Sequence, residues 1–243
     1  MATATYPILT PVGENAVLVE YAPEVSLKTN RRVRQLAHGL EKDAIAGVSE
    51  IVPAYRSLMV YFDPERTEVD ALCAKVRQLA RQPRKTRLPQ PRLFRIPTVY
   101  GGEFGPDLAS VAAGTGRAPE EVIRLFSSRR YPVYCLGFLC GLAYLGGVPE
   151  PLRLPRLATP RTWLPAGSVG FAEAQAVVLP IDQPSGFHYI GRAFVPVYDP
   201  AQFPPTLFRP GDYVECPSVP ETEARQWQSR SLGDCVDERF QGA

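Results

Sequence analysis

A glutamate in the segment YGGEFGPDL, residues 100–108, has the surroundings of an anion-binding turn. Two glycines precede Glu103, and Gly-Pro-Asp follows at the start of a predicted helix. Backbone amides exposed at such a turn can hold an anion. The simpler interpretation is a tight turn with Asp107 in the first helical turn, which leaves Glu103 unexplained. Glu103 is therefore a candidate site residue.

Two arginines lie five residues apart in the proline-rich stretch PRLATPR. A guanidinium group can hold a carboxylate or phosphate through two parallel hydrogen bonds, although most arginines are simply surface residues. Arg161 precedes an uncharged turn that contains glycine, and this setting favours a binding role for Arg161 over one for Arg156.

The segment GFLCGLAYLGG, residues 137–147, combines four glycines with apolar side chains. Glycine at this density suits a backbone that passes close to a ligand or to another strand. The segment lacks the Lys and Ser/Thr of a phosphate loop. Cys140 has no histidine nearby in the sequence, and a buried free cysteine usually behaves as a small apolar residue. We interpret the segment as a pocket wall.

The remaining reactive residues do not form a standard catalytic arrangement. His188 lies in the strand-like GFHYIGR and His38 on a charged helix, and neither has a neighbouring Asp, Ser or Cys as in a triad. Five cysteines without a CxxC pair, with only two histidines, argue against structural zinc and indicate reduced thiols. The residues alone indicate a two-domain protein with a candidate anion site and no metal.

Charge and hydropathy exclude two classes of partner. The 27 basic and 25 acidic residues are interspersed, and the net charge of +2 is too small for a protein that binds a phosphate backbone. Residues 1–11 lack a basic region followed by an apolar core, so we predict no signal peptide and a cytoplasmic location. The uncharged run 131–149 contains glycine, proline and tyrosine, which indicates buried core and no membrane span.

The first part of the chain predicts the order strand, helix, strand, strand, helix. Strands are expected at residues 15–21, 48–53 and 57–62, and the second helix at residues 68–81. This order is that of a split β-α-β unit, whose last strand could come from residues 92–99 or from the N-terminus. We predict a small ferredoxin-like domain over residues 1–82.

Helix caps and apolar spacing support the two helices. Ser26 is the expected N-cap of the first helix and Thr67 that of the second, with Asp70 in capping-box position. Apolar residues recur at helical spacing in both helices. In the first helix they are Val33, Leu36, Ala37 and Leu40, and in the second Val69, Leu72, Cys73, Val76 and Leu79.

The rest of the chain predicts a mostly β domain. Three prolines and three basic residues within residues 82–91 suit an exposed linker, which we place at residues 83–91. Two short helices are expected at 106–113 and 118–127, followed by short strands and frequent turns over the rest of the domain, residues 92–225. Residues 226–243 show little apolar periodicity and predict a flexible tail.

Six segments together resemble one known family. They are IPTVYGGEFGPDL, APEEVIRLF, YPVYCLGFLCGLAYLGGVP, PRLATPR, LPAGSVGFAEAQ and PSGFHYIGR, in the order and spacing of the family that contains the B-type subunit of 5-oxoprolinase, allophanate hydrolase subunit 1 and a sporulation-kinase inhibitor. The resemblance spans about residues 6–220. It implies an α+β fold with a cyclophilin-like β-barrel C-terminal domain, in agreement with the pattern above.

The resemblance also implies an activity and a partner. In the 5-oxoprolinase branch, the implied reaction is ATP-dependent opening of 5-oxoproline to glutamate, with ATP and Mg shared with a homologous C-type subunit. Glu103, Arg161 and Gln175 match family positions and are the candidate catalytic residues. The candidate substrate pocket contains Phe126, Phe138, Cys140, Gly141, Leu142, Tyr144, Ser168, Ala174, Ala176 and His188.

Several positions depart from the family pattern. Phe126 replaces the histidine of EEVIxxH, and Cys140 and Leu142 replace residues of GFxPGFxYLG. Ala174 and Ala176 lie in the stretch that usually reads AGxQTG. Losing a histidine removes a group suited to proton transfer near neutral pH, and the other changes make the pocket less polar. The scaffold is thus compatible with changed chemistry.

Three hypotheses follow. A subunit with the usual family role predicts copurification with a homologous C-type subunit and ATP-dependent glutamate release. A repurposed stand-alone enzyme, for example a cyclase that folds a flexible chain in an apolar pocket, predicts a monomer or homodimer that needs no ATP. A non-catalytic inhibitor of a kinase predicts tight binding to one protein without turnover.

Overall fold

The computed structural model describes residues 5–81 and 87–241. The chain divides into two units, Met1–Gln90 and Pro91–Ala243, and each is described by itself. The linker predicted at 83–91 and the end of the predicted tail lie partly outside the described residues. Helices and strands occur in both units, so the fold is mixed α+β as predicted.

The N-terminal unit is a four-stranded antiparallel sheet with two helices. Its sheet has the order β1-β2-β4-β3. The strand that completes this sheet is the N-terminal β1, whereas residues 92–99 belong to the other unit. The elements are β1 Ile8–Val12, β2 Ala16–Glu20, α1 Leu27–Asp43, β3 Val48–Pro53, β4 Ser57–Phe62 and α2 Val69–Ala80.

The caps of α1 and α2 differ in how well they were predicted. The Oγ of Ser26 accepts a hydrogen bond from the backbone N–H of Thr29 at 3.1 Å, which confirms the cap of α1. The cap of α2 is Glu68, not Thr67. The hydroxyl of Thr67 instead donates to the carbonyl of Ala46, so it is not free to cap the helix.

The apolar face of each helix packs on the sheet. All four predicted apolar positions of α1 are buried, and in α2 the buried positions include Leu72, Cys73 and Val76. They form one core with Val17, Val19 and other residues of the central strands. Burial of these faces is the main favourable term that holds the unit together.

The C-terminal unit is built on an eight-stranded sheet of order β5-β14-β7-β8-β11-β10-β13-β6. A separate two-stranded sheet joins β9 and β12. The strands are β5 Leu93–Arg95, β6 Thr98–Tyr100, β7 Tyr131–Gly137, β8 Leu142–Gly146, β9 Arg161–Leu164, β10 Ser168–Ala172, β11 Gln175–Val178, β12 Gln183–Ser185, β13 His188–Ala193 and β14 Tyr213–Glu215. The helices are α3 Leu108–Thr115, α4 Pro119–Ser127 and α5 Glu221–Ala224.

The two edge strands of the eight-stranded sheet belong to one continuous stretch of chain. β5 pairs in parallel with β14, and β6 pairs antiparallel with β13. Only Ile96 and Pro97 separate β5 from β6. Backbone bonds from Ile96 N to Glu215 O at 2.8 Å and from Thr98 N to Pro217 O at 2.9 Å extend the pairing. The sheet therefore curls until its two edges meet, which leaves few unpaired edge groups.

A buried carboxylate fixes the start of β5 next to β14. The side chain of Asp212 is 5% exposed and accepts a hydrogen bond from Arg92 Nη2 at 2.6 Å. It also accepts the backbone N–H groups of Arg92 and Arg209, both at 3.0 Å. These bonds satisfy a charge that would otherwise be costly to bury.

Two apolar clusters occupy different parts of this unit. The larger cluster lies between the sheet and the helices α3 and α4, and it includes Phe126, Tyr131, Phe171 and Ala176. The smaller cluster contains Leu142, Leu164, Ala172, Val177, Leu179, Phe187 and Tyr189. The smaller cluster forms the floor of the cavity described below.

The segment after Gln226 packs on the unit. Leu232 and Cys235 are buried, and Ser231 and Asp234 form a capping box around a short 3-10 turn. Val236 forms a β-bridge with Phe94. Over residues 226–241 these contacts differ from the flexible tail that the sequence predicts, because a few scattered apolar residues suffice to anchor a short segment. No helix among the described residues is long and apolar enough to span a membrane.

Candidate functional site

A cavity of about 330 Å³ opens on the smaller apolar cluster, and we call it the Gln183 cavity. Residues from three of the six sequence segments line it. Phe138, Leu142 and Tyr144 come from GFLCGLAYLGG, Arg156 comes from PRLATPR, and the residues from Pro184 to Phe187 together with Tyr189 come from PSGFHYIGR. The other lining residues are Val177, Leu179 and Gln183.

Two polar side chains of β12 face the cavity. Gln183 is 5% exposed, and its Oε1 has no hydrogen-bond partner among the described residues. The Oγ of Ser185 accepts a hydrogen bond from the hydroxyl of Tyr189 at 2.8 Å and one from the backbone N–H of Phe187 at 3.3 Å. Burial raises the pKa of Tyr189 to about 12, so its hydroxyl remains a donor at neutral pH.

One cationic side chain, that of Arg156, lies at the rim of the Gln183 cavity. The guanidinium of Arg156 lies over the ring of Phe187, with 4.9 Å between its central carbon and the ring centroid. Arg156 is exposed, so the stacking holds the side chain in place without burying its charge. Phe138 projects from the loop between β7 and β8 and is 79% exposed, which is unusual for a large apolar residue.

Arg161 is held by a carboxylate and does not line the cavity. Its guanidinium donates two hydrogen bonds to Asp107, one from Nε at 3.2 Å and one from Nη2. Asp107 is 5% exposed and also accepts the backbone N–H of Tyr189 at 2.9 Å. The hydrogen bonds to Asp107 raise the pKa of Arg161 above its ordinary value. This pair joins the start of α3 to β9 and β13, an arrangement that positions the strands around the cavity.

The other two candidate catalytic residues lie elsewhere. Glu103 is exposed in a short 3-10 turn before α3, and Gln175 is half-buried at the first position of β11. Neither is among the residues that line the Gln183 cavity. The three candidates therefore do not share the lining of this cavity, and their catalytic roles stay a prediction.

The predicted pocket residues divide into three groups. Phe138, Leu142 and Tyr144 line the cavity, and Cys140 and Gly141 lie in the same loop at positive φ, 44° and 68°. Four residues are buried and do not line the cavity: Phe126, Ser168, Ala176 and His188. Ala174 is exposed in the turn between β10 and β11.

Two polar members of the buried group have partners in the protein. Ser168 donates to the carbonyl of Pro165 at 2.7 Å, and the Nε2 of His188 lies 2.8 Å from the carbonyl oxygen of Pro155. Phe126 and Ala176 face the larger cluster, whereas Leu142 faces the smaller one. The residues that support the repurposed-enzyme hypothesis, Phe126, Leu142, Ala174 and Ala176, therefore do not form one surface.

The position where the family pattern has histidine is a core position in this protein. Phe126 is 1% exposed, and its ring centroid lies 4.9 Å from that of Tyr131 and 5.6 Å from that of Phe171. The hydroxyl of Tyr131 donates to the carbonyl of Phe126 at 2.8 Å. A side chain so enclosed contributes to packing and not to the lining of the Gln183 cavity.

Phe126→His should lower the free energy of unfolding by about 2–3 kcal/mol at pH 8, because an imidazole would replace a well-packed ring without a partner for its polar atoms. Burial would also depress the pKa of the histidine below its unfolded value of about 6.5, so the loss should grow as the pH falls below that value. Urea denaturation at pH 8 and pH 5.5 measures both effects. Phe126→Leu is the control, and a variant with wild-type stability at both pH values would contradict this prediction.

The lining residues that the sequence did not assign to the pocket are Val177, Leu179, Gln183, Pro184, Ser185, Gly186, Phe187 and Tyr189. The available signal was a glutamine that directly precedes a Pro-Ser-Gly turn after an apolar run. The sequence favoured Arg161 over Arg156, whereas Arg156 is the arginine that lines the cavity. Among the described residues, no group of three or more His, Cys, Asp or Glu side chains could hold a metal ion.

Comparison with known proteins identifies the family that this chain resembles in sequence. Residues 7–208 match the family described as carboxyltransferase domain, subdomain C and D. The chain is 40% identical over 215 residues to the B-type subunit of 5-oxoprolinase from Escherichia coli O157:H7, which covers 87% of this chain and 95% of that relative. It is 33% identical over 234 residues to the B-type subunit of 5-oxoprolinase from Bacillus subtilis (strain 168), which covers 90% and 96%.

A solved crystal structure has a fold similar to that of this chain. The crystal structure of TTHA0988 is similar with a TM-score of 0.74 and 33% identity over 85% of this chain. The match covers 40% of that longer chain. The family match covers most of this chain, and the two relatives are 40% and 33% identical to it over almost their whole length. These two findings establish the family. This chain belongs to the carboxyltransferase-domain family of subdomains C and D.

Proposed function

We propose that this chain is the B-type subunit of an ATP-dependent lactam hydrolase that opens 5-oxoproline to glutamate, and that the Gln183 cavity holds the substrate. The observation that carries the proposal is the convergence of three separate family segments on one cavity. The identity of 40% to the B-type subunit of a 5-oxoprolinase supports the substrate class.

The lining of the cavity supports a binding role more than a complete catalytic centre. Its described residues offer a guanidinium, an amide and hydroxyl groups, but no carboxylate, imidazole or thiol. Opening an unstrained amide needs an activated carbonyl and a positioned nucleophile. The proposal therefore requires a second subunit that completes the site.

The described residues contain no group of three or more acidic, cysteine or histidine side chains that could hold a metal ion, and the sequence has no phosphate loop for ATP. We therefore assign the nucleotide to a homologous C-type subunit, and the complex to the cytoplasm, where ATP is available. In this chain, the residues of the cavity bind and orient the lactam.

The finer fold assignment is part of the same proposal. The strand order β1-β2-β4-β3, with helices after β2 and β4, supports a ferredoxin-like domain whose edge strand comes from the N-terminus. The curled eight-stranded sheet supports a cyclophilin-like barrel. We propose the boundary between the two domains at residues 82–92, as predicted from the sequence, and include residues 226–241 in the second domain because they pack on it.

Purification of the tagged chain from its host, followed by mass spectrometry and an ATP-dependent glutamate-release assay, tests the function. We expect a homologous C-type subunit to copurify and the complex to release glutamate from 5-oxoproline only when ATP and Mg²⁺ are present. A chain recovered alone, and inert toward 5-oxoproline after the C-type subunit of the host is added, would contradict the proposal.

A further inference from the structure

We propose that the exposed rings of Phe138 and Phe203 are two anchor residues by which a C-type subunit docks beside the mouth of the Gln183 cavity. We call these two rings the aromatic pair. The inference rests on the proposed function and adds the surface on which the partner binds. It requires that the partner offer an apolar recess for each ring.

The aromatic pair contains the two most exposed large apolar side chains among the described residues. Phe203 is 98% exposed and Phe138 is 79% exposed. Neither ring therefore contributes to the packing of the C-terminal unit, and each leaves a large apolar area in contact with water. Phenylalanine is enriched at protein–protein interfaces, where a few buried anchor residues carry most of the binding free energy.

The two loops that carry the aromatic pair touch each other. Phe138 lies between β7 and β8, and Phe203 lies between β13 and β14. A Cβ added at Gly141 would lie 2.8 Å from Cγ2 of Thr206, so the first loop packs directly on the second. Each ring is three residues from this contact, a stretch of at most about 11 Å. Both rings thus fit within the disc roughly 30 Å across that one partner covers in an interface of standard size.

The loop that carries Phe203 is closed by hydrogen bonds. The backbone N–H of Asp199 donates to the carbonyl of Pro205 at 2.8 Å, and the carboxylate of Asp199 accepts the side-chain amide of Gln202 at 2.7 Å. Pro204, directly after Phe203, restricts the backbone further. Because the loop is ordered before a partner arrives, docking on this ring loses little conformational entropy.

The loop that carries Phe138 has a strained backbone. Phe138 and Cys140 have positive φ values of 64° and 44°, a conformation that costs free energy for any residue other than glycine. Strain of this kind persists where the surrounding structure maintains it, often at functional sites. Phe138 also lines the Gln183 cavity. A protein that covers this ring therefore lies at the mouth of the cavity.

Two observations favour a C-type subunit as the occupant of this surface. The lining of the cavity contains no carboxylate, imidazole or thiol among the described residues, so a hydrolase needs these groups from a protein seated at its mouth. The match to TTHA0988 covers 40% of that chain, so that relative joins a further segment to the domain covalently. Where such a segment is a separate chain, a docking surface must replace the covalent link.

Biolayer interferometry between the purified full chain and the purified homologous C-type subunit of the same host tests this surface. We expect Phe203→Ala and Phe138→Asn each to weaken binding by about tenfold or more. Asparagine tolerates positive φ, so Phe138→Asn removes the ring without adding strain. Val25→Ala truncates an exposed apolar residue of the N-terminal unit and is the control, which should leave the affinity unchanged.

The fold is not at risk in these variants. Both rings are exposed, so Phe203→Ala and Phe138→Asn should melt at or above the wild-type temperature. Wild-type affinity of either variant for the C-type subunit would overturn the inference, as would absence of binding by the wild-type chain. Light scattering on the chain alone tests the other occupant, because a homodimer that Phe203→Ala dissociates would assign the aromatic pair to a second copy and overturn the inference.

The inference and the proposed function fail in different ways. Weakened binding by both variants, in a complex that releases no glutamate with ATP, would support the docking surface and contradict the proposed function. ATP-dependent glutamate release by a complex whose affinity neither variant changes would support the proposed function and overturn the docking surface.

Discussion

Gly167→Ala should lower the free energy of unfolding of the C-terminal unit by at least about 3 kcal/mol. Gly167 has a φ of 80°, a backbone conformation that side chains other than glycine rarely adopt, and an added Cβ would overlap the carbonyl oxygen of Ala193. Its amide and carbonyl are also fixed by bonds to Leu179 O and Ala193 N, both 2.8 Å, so the backbone cannot shift without breaking them.

Gly114→Ala is the matched control for this substitution. Gly114 lies in α3, and an added Cβ there would meet Leu154 at ordinary contact distances of 3.4 and 3.5 Å. Alanine in a helix should raise stability by about 0.5–1 kcal/mol. Urea denaturation followed by tryptophan fluorescence compares the two variants, and equal stability of Gly167→Ala and wild type would refute the strained-turn interpretation.

Arg161→Ala should destabilise the C-terminal unit by about 3 kcal/mol, because it leaves the carboxylate of Asp107 buried without its charged partner. This differs from the result for a residue that only holds a substrate anion, whose removal would weaken binding and spare the fold. The denaturation midpoint and the affinity for 5-oxoproline, measured on the same variant, separate the two roles.

An exposed ion pair provides the comparison. Arg225 lies 2.6 Å from Glu221 with the two side chains 50% and 44% exposed, and it also lies over the rings of Phe104 and Phe194, so Arg225→Ala should lower stability by about 1 kcal/mol. Arg161→Ala with wild-type stability and weakened binding would return Arg161 to the role predicted from the sequence. A large loss of stability would identify it as a positioning residue.

Local features of the N-terminal unit could be predicted from the sequence because short-range physics determines them. The apolar spacing of α1 and the cap at Ser26 depend on residues within one or two helical turns. The cap at Thr67 was wrong because its hydroxyl bonds to Ala46, 21 residues away. A competing tertiary contact of this kind leaves no trace in the local sequence.

The direction of side chains in the curled sheet was harder to predict. In β11 and the residue after it, Ala176 and Val178 face the larger cluster, whereas Val177 and Leu179 face the cavity side. The four residues 176–179 are all apolar, so the alternation that reveals a buried face is missing. Ala176 was assigned to the pocket and instead packs in the larger cluster. Phe126 lies on α4, outside the sheet, and was assigned to the pocket because it occupies the position of the histidine in the family pattern.

The site residues were only partly predictable for a related reason. The partner of Arg161 is Asp107, 54 positions earlier in the chain, and only the fold brings them together. Of the predicted pocket residues, Phe138, Leu142 and Tyr144 line the Gln183 cavity. The position of Gln183 in the lining could be known only from the structure, because no motif in the sequence marks it.

The way in which the curled sheet closes has a consequence for the order of folding. Arg92, at the start of β5, bonds to Asp212, which is 120 residues later in the chain, so a strand made early in the unit pairs with one made near its end. During synthesis the ribosome releases β5 long before its neighbour exists. Contacts of such high sequence separation form slowly. The unit therefore acquires its final sheet only after β14 has emerged, and until then Leu93 and Phe94 lack the neighbours that bury them in the folded unit.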